Sequence, residues 1–175
     1  MSILDFLRSA APRAASSGDT AQTDTVRKVI AELDLVDAKR ARHLAAFAYL
    51  LGRVAYADLD IQPEEVEAME SILRDKGGLE ADQARLVVKI VKVRNELFGR
   101  TEDYLVAREF KEITTREQRL KLLSCLFAVA AADDIILPEE ETVIRQIVSE
   151  LGLTLREFTA ARAPWNDKRS VFKQS

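Results

Sequence analysis

The segment Ala55-Tyr-Ala-Asp58-Leu-Asp60-Ile-Gln-Pro63-Glu64-Glu65 returns 75 positions later as Ala130-Ala-Ala-Asp133-Asp134-Ile-Ile-Leu-Pro138-Glu139-Glu140. In each copy an alanine-rich apolar run ends at an Asp, and a Glu follows seven residues on, two places after a proline. Proline is tolerated at the first helical position because its missing N–H would have no partner there. Each copy therefore predicts a helix, a short acidic loop and a second helix that opens on carboxylates. A chain that carries this unit twice is constrained to a duplicated helical architecture, with repeats near 37–77 and 112–152.

Helical punctuation extends the pattern. Asp37 is placed to cap a helix over about 37–57, in which Leu44, Phe47, Ala48, Leu51 and Val54 recur at three- and four-residue steps. The helix opened by Pro63 carries Val66, Met69, Ile72 and Leu73 and stops at Gly77-Gly78, residues suited to a left-handed cap. Further helices are predicted from about 80–82 to 99, over 102–112, over 115–132, from Pro138 to Leu151, and after a Thr154 cap. At the 75-residue offset Ile61 pairs with Ile136, Ile72 with Ile147 and Gly77 with Gly152. No segment has strand alternation bounded by hairpin turns. The expected fold is all-α, a single domain of about seven or eight helices in two pseudo-symmetric helix-loop-helix halves.

The ends read differently. Residues 2–9 form one or two amphipathic turns with Ile3, Leu4 and Leu7 on one face, and 10–24 read as a flexible linker, so folding is expected to begin near residue 24 or 25. That divides the chain into an N-terminal arm and linker over 1–23, a helical domain over 24–163 and a basic C-terminal tail over 164–175, expected to be helix-poor and frayed.

Charge and composition exclude several functions. With 26 Lys and Arg against 29 Asp and Glu, the net charge of −3 argues against nucleic acid as a partner. No apolar stretch approaches the roughly 20 residues needed to cross a bilayer, and the N-terminus lacks signal-peptide organisation. A cytoplasmic protein without stable membrane insertion is expected. The single cysteine, Cys125, lies in an apolar run and the single histidine is His43, so a buried, inert thiol is expected in place of a Cys-His nucleophile. His43 has Arg40 three residues upstream where a di-metal bundle would place a Glu. No enzyme is read from the sequence.

The acidic loops carry the chemistry. Hard cations take oxygen ligands, and Ca²⁺ sites combine loop carboxylates with a bidentate Glu from the following helix. Laid on an EF-hand loop, Asp58 and Asp133 take position five and Glu65 and Glu140 position twelve. Positions one and three are then Val54 and Tyr56, or Val129 and Ala131, and the turn glycine becomes Leu59 or Asp134. That excludes a complete EF-hand. A divalent cation, Ca²⁺ first and Mg²⁺ or Zn²⁺ as alternatives, would need the two loops to approach and pool Asp58, Glu65, Asp133 and Glu140, with Asp60 or Asp134 adding oxygens. The competing account is structural: Glu in a first helical turn is favoured by about 0.3–1 kcal/mol without any ligand, and Arg53, Arg85 or Arg119 could pair with the loops.

On these residues, Ala57-Asp58-Leu-Asp-Ile61-Gln-Pro-Glu-Glu65 and Ala132-Asp133-Asp-Ile-Ile136-Leu-Pro-Glu-Glu140, the chain resembles the TerB-like family, known from tellurite-resistance proteins and from the central domain of DjlA-type co-chaperones. The resemblance spans about 24–163. It implies a helical fold of two halves, a divalent-metal-binding acidic cluster that falls on Asp58, Glu65, Asp133 and Glu140, and no catalytic activity. Leu59 and Asp134 depart from the family's glycine. The resulting expectation is a non-enzymatic, metal-binding interaction domain linked to tellurite or general stress resistance. Its partners would be other proteins, and a weak homodimer is left open. The alternative is a purely structural, co-chaperone-like interaction module without metal.

Overall fold

Among the described residues, the longest helix has no solvent face over 44–54. In the computed structural model, which describes residues 2–8, 20–55, 63–93 and 103–170, this helix is α3, and the helices in chain order are α1 (Ile3–Arg8), α2 (Thr20–Asp34), α3 (Ala38–Ala55), α4 (Pro63–Asp75), α5 (Ala81–Lys92), α6 (Asp103–Ile113), α7 (Arg116–Ala130), α8 (Pro138–Glu150) and α9 (Leu155–Arg162). Short 3-10 turns follow α7 at Ala131–Asp133 and α9 at Ala163–Lys168. Among the described residues these nine helices and no strand make up the fold, so the all-α expectation holds.

α3 begins where Asp37 Oδ1 accepts the Arg40 backbone N–H at 3.1 Å, the cap read from the sequence. Every residue over 44–54 is buried, and a helix apolar all round belongs in a core. Ala45, Ala46, Ala48 and Gly52 are small enough to let neighbouring helices approach closely, and α1, α2, α5, α6, α7 and α8 all pack on it. The larger Phe47, Leu50 and Leu51 fill the space between, each contributing about 1.5–3 kcal/mol by burial. α7 is the second core helix, with Leu122, Leu123, Cys125, Leu126 and Phe127 buried. A reciprocal cap opens it: Gln118 N–H donates to Thr115 Oγ1 at 3.2 Å, and Thr115 N–H to Gln118 Oε1 at 2.9 Å.

The helices opened by Pro63 and Pro138 are both 13 residues long. α4 packs on α5 and α7, α8 on α3, α6 and α7, and α9 covers α7 with Phe158 against Phe127 at 5.4 Å between ring centroids. Both 13-residue helices end on a left-handed glycine, spanned by backbone bonds from Leu79 N–H to Leu73 O (3.2 Å) and Leu153 N–H to Val148 O (3.0 Å). The positive φ falls on Gly78 (68°) and Gly152 (69°). The sequence pairs Gly77 with Gly152, so the first unit runs one residue further before its cap.

The N-terminal segments add to the fold ahead of the expected start near residue 24. α2 starts at Thr20, inside the stretch expected to be linker. α1 docks: Ile3, Leu4 and Leu7 are buried against α3, and Glu109 joins the two by accepting from Ile3 N–H and Arg42 Nε, both at 2.8 Å. Among the described residues no helix is long and apolar enough to cross a membrane.

Candidate functional site

The second acidic corner lies within the described residues. After α7 the chain makes one 3-10 turn through Asp133 and reverses at Asp134, which sits in the left-handed region at φ 65°, its N–H donating to Ala131 O at 3.0 Å. Asp is among the few non-glycine residues that visit this region readily. Residues 135–137 are then extended, with alternating exposure as in a strand: Ile136 is buried while Ile135 and Leu137 face outward. Glu140, third residue of α8, turns back so that Oε2 accepts the Leu137 N–H at 2.8 Å, satisfying a donor at the helix start.

The C-terminal tail closes this corner. The sequence predicts a frayed, helix-poor segment; instead 163–168 form a 3-10 turn and 168–170 pair with the loop. Ile136 N–H donates to Lys168 O at 2.8 Å and Ser170 N–H donates to Ile136 O at 3.1 Å, one parallel β-bridge. Lys168 Nζ meets Asp134 Oδ1 at 3.1 Å. Arg169 is bidentate on Glu141, through Nε and through Nη2 at 3.1 Å, and Arg162 reaches the same carboxylate at 3.5 Å. Trp165 packs on the core from within this segment. The physical reason is local charge: an Asp beyond a helix C-terminus faces the negative pole of that helix, and a nearby cation offsets it. The Lys168–Asp134 pair is open to water and contributes about 0–1 kcal/mol. The Glu141 group is mostly covered, and solvent screens it less.

Of the six carboxylates read as candidate ligands, Asp58 and Asp60 lie outside the described residues, as does the side chain of Asp133. Glu65 is exposed in the first turn of α4. Asp134 and Glu140 share the second corner and have the protein partners given above. Ca²⁺ takes about six to eight oxygens; among the described residues no group of three or more His, Cys, Asp or Glu comes together. Arg53, two residues before the end of α3, binds Glu150 at 2.6 Å, at the opposite end of α8 from Glu140.

The arginines expected near the loops have other engagements as well. Arg85 reaches Asp82 at 3.7 Å, and Arg119 donates to the Leu151 carbonyl at 3.0 Å. Glu141, Arg162 and Arg169 are absent from the sequence-based candidates. Their signal was present in the departure from the repeat: 75 positions before Glu141 and Asp134 stand Val66 and Leu59, so both acids that bind the tail belong to the second unit alone.

His43 and Cys125 each have a defined local setting. His43 stacks on Phe110 at 5.5 Å and Phe47 at 5.9 Å, and burial, with Arg40 nearby, pushes it down to about 4. Cys125 faces the Ile72 carbonyl at 3.9 Å, and burial pushes its thiol up to about 12.

A comparison with known families matches residues 43–163 to the model described as tellurite resistance protein TerB. Comparisons with curated proteins and with solved structures returned no match. The matched span begins inside α3, runs through α9 and ends where the tail begins. With two proline-opened helices 75 residues apart around an alanine-rich core, the chain belongs to the TerB family.

Proposed function

We propose that this chain is a non-enzymatic interaction domain of the TerB family that binds a divalent cation, Ca²⁺ first, through its acidic loops and presents its helical surface to partner proteins. The observation that carries the reading is the placement of Glu65 and Glu140 at the third position of two equal helices, each behind a proline and an acidic loop. An ion would draw on Asp58, Glu65, Asp133 and Glu140, with Asp60 or Asp134 adding oxygens. It would supply charge neutralisation at the two loops and so fix the helix pairs they join. A role in tellurite or general stress resistance, and a location in the cytoplasm, follow as further proposals from the family.

A second reading is favoured by specific contacts. Glu140 satisfies its own helix start and Lys168 neutralises Asp134, which fits a purely structural interaction module without metal. Calorimetric titration of the full chain with Ca²⁺, Mg²⁺ and Zn²⁺ separates the two. Heat that saturates, and that is lost in Asp58→Asn/Glu65→Gln and Asp133→Asn/Glu140→Gln, supports the ion; silence with all three ions leaves the structural module.

A further inference from the structure

The tail contact has the form of a peptide complex whose peptide is covalently attached. An extended loop offers one N–H and one C=O of Ile136 to a passing backbone, and two carboxylates flank that register: Asp134 takes the ammonium of Lys168 and Glu141 the guanidinium of Arg169. Main-chain bonds to an edge with side-chain pockets alternating on either side is how extended peptides are recognised. The acids that read the two cations are missing from the first unit, where Leu59 and Val66 stand, and residues 168–170 fall beyond the span matched to the family. The corner therefore has recognition chemistry that the repeated pattern does not require.

We infer that the second corner is a docking site for an extended basic segment with adjacent Lys and Arg, and that residues 168–170 are its tethered occupant. A basic segment of another protein displaces the strap 163–170 and takes its place. This names the partner chemistry of the interaction reading and draws nothing from the ion. Tethering sets the threshold: an attached segment competes at an effective concentration of about millimolar, and a site free one-tenth of the time weakens apparent affinity about tenfold.

The hexapeptide Asn-Asp-Lys-Arg-Ser-Val, the sequence of residues 166–171, tests this directly. It lacks tryptophan, so emission from Trp165, the chain's one tryptophan, reports the strap alone. Titrated into the full chain, the peptide is expected to shift Trp165 emission to the red at millimolar concentration, and a peptide with Gln in place of Lys and Arg is not. In full-length Lys168→Gln/Arg169→Gln, with unchanged circular dichroism, a fluorescein-labelled hexapeptide is expected to bind about tenfold or more tightly by anisotropy. Adding Asp134→Asn to that variant should remove the gain. The inference is overturned if the labelled peptide fails to bind the variant, if the Gln peptide binds as well, or if the hexapeptide leaves Trp165 emission of the full chain unchanged. The calorimetric titration on unaltered protein judges the ion reading separately, since neither result enters the other.

Discussion

Arg53 and Glu150 form an ion pair at 2.6 Å with side-chain exposures of 4% and 13%, tying the last turn of α3 to the last turn of α8. A pair this well covered costs much to desolvate, and its attraction offsets that cost only while both members remain. Arg53→Ala or Glu150→Ala is therefore expected to lower stability by about 3–5 kcal/mol, whereas Arg53→Met/Glu150→Leu is expected to fall within about 1 kcal/mol of the unaltered chain or above it. Urea unfolding of the three variants checks this. Equal losses in the single and double variants would show that packing of the arginine stem, and not the uncompensated charge, sets the cost.

Asp134 holds a left-handed backbone, which costs a residue with a side chain about 1–2 kcal/mol relative to glycine. Its pairing with Lys168 returns about 0–1 kcal/mol at low salt and less when screened. Asp134→Gly is accordingly expected to stabilise by about 0–2 kcal/mol at low ionic strength and by about 1–2 kcal/mol in molar salt. Thermal unfolding at two salt concentrations gives the comparison. A variant that remains less stable in high salt would assign the Asp134 carboxylate a role other than its bond to Lys168.

His43 makes the protein acid-sensitive in a defined window. Its folded value is pushed down to about 4 from 6.5 by burial among Phe47 and Phe110, with a smaller contribution from Arg40. Between these values the unfolded chain binds a proton that the folded chain refuses, so stability falls as pH drops through 6.5 and levels off below about 4. In His43→Phe this contribution disappears. The difference between the two unfolding-midpoint profiles should slope across that window and be flat from pH 7 to 9; a flat difference throughout contradicts a neutral, partly buried imidazole.

Cys125 is expected to resist thiol reagents in the folded state, because the nucleophile is the thiolate and burial pushes the thiol up to about 12. Labelling by a disulfide reagent at pH 8 should proceed at the rate of global unfolding and accelerate in urea in proportion to it. Fast labelling in native buffer would mean that the α4–α7 contact around Ile72 and Cys125 opens on its own.

The signals that were legible in the sequence are those whose physics is local. Asp37 and Thr154 cap helices because an oxygen one turn ahead of orphan N–H groups is all that is required, and Pro63 and Pro138 open theirs for the complementary reason. What escaped depends on distant partners. Thr20 to Asp24 have linker composition, yet they continue a helix whose Val26, Val29 and Leu33 have a core to bury in. The tail lacks helical periodicity, and its order comes from Ile136 and Glu141, more than 25 residues away. In the same way the basic residues near the acidic loops drew attention to Arg85 and Arg119, whereas the cations that settle on the second loop are supplied from the far end of the chain.

The enclosure of α3 on every side makes it an axle whose angular setting cannot be edited. Removing one residue from 44–54 would rotate everything beyond the cut by about 100°, swinging Arg53 away from Glu150 and pressing larger side chains where Ala45, Ala46 and Ala48 now admit neighbouring backbones. Descendants of this chain are free to lengthen loops, trade surface charge or rewrite the strap. They inherit the length of that one helix unchanged.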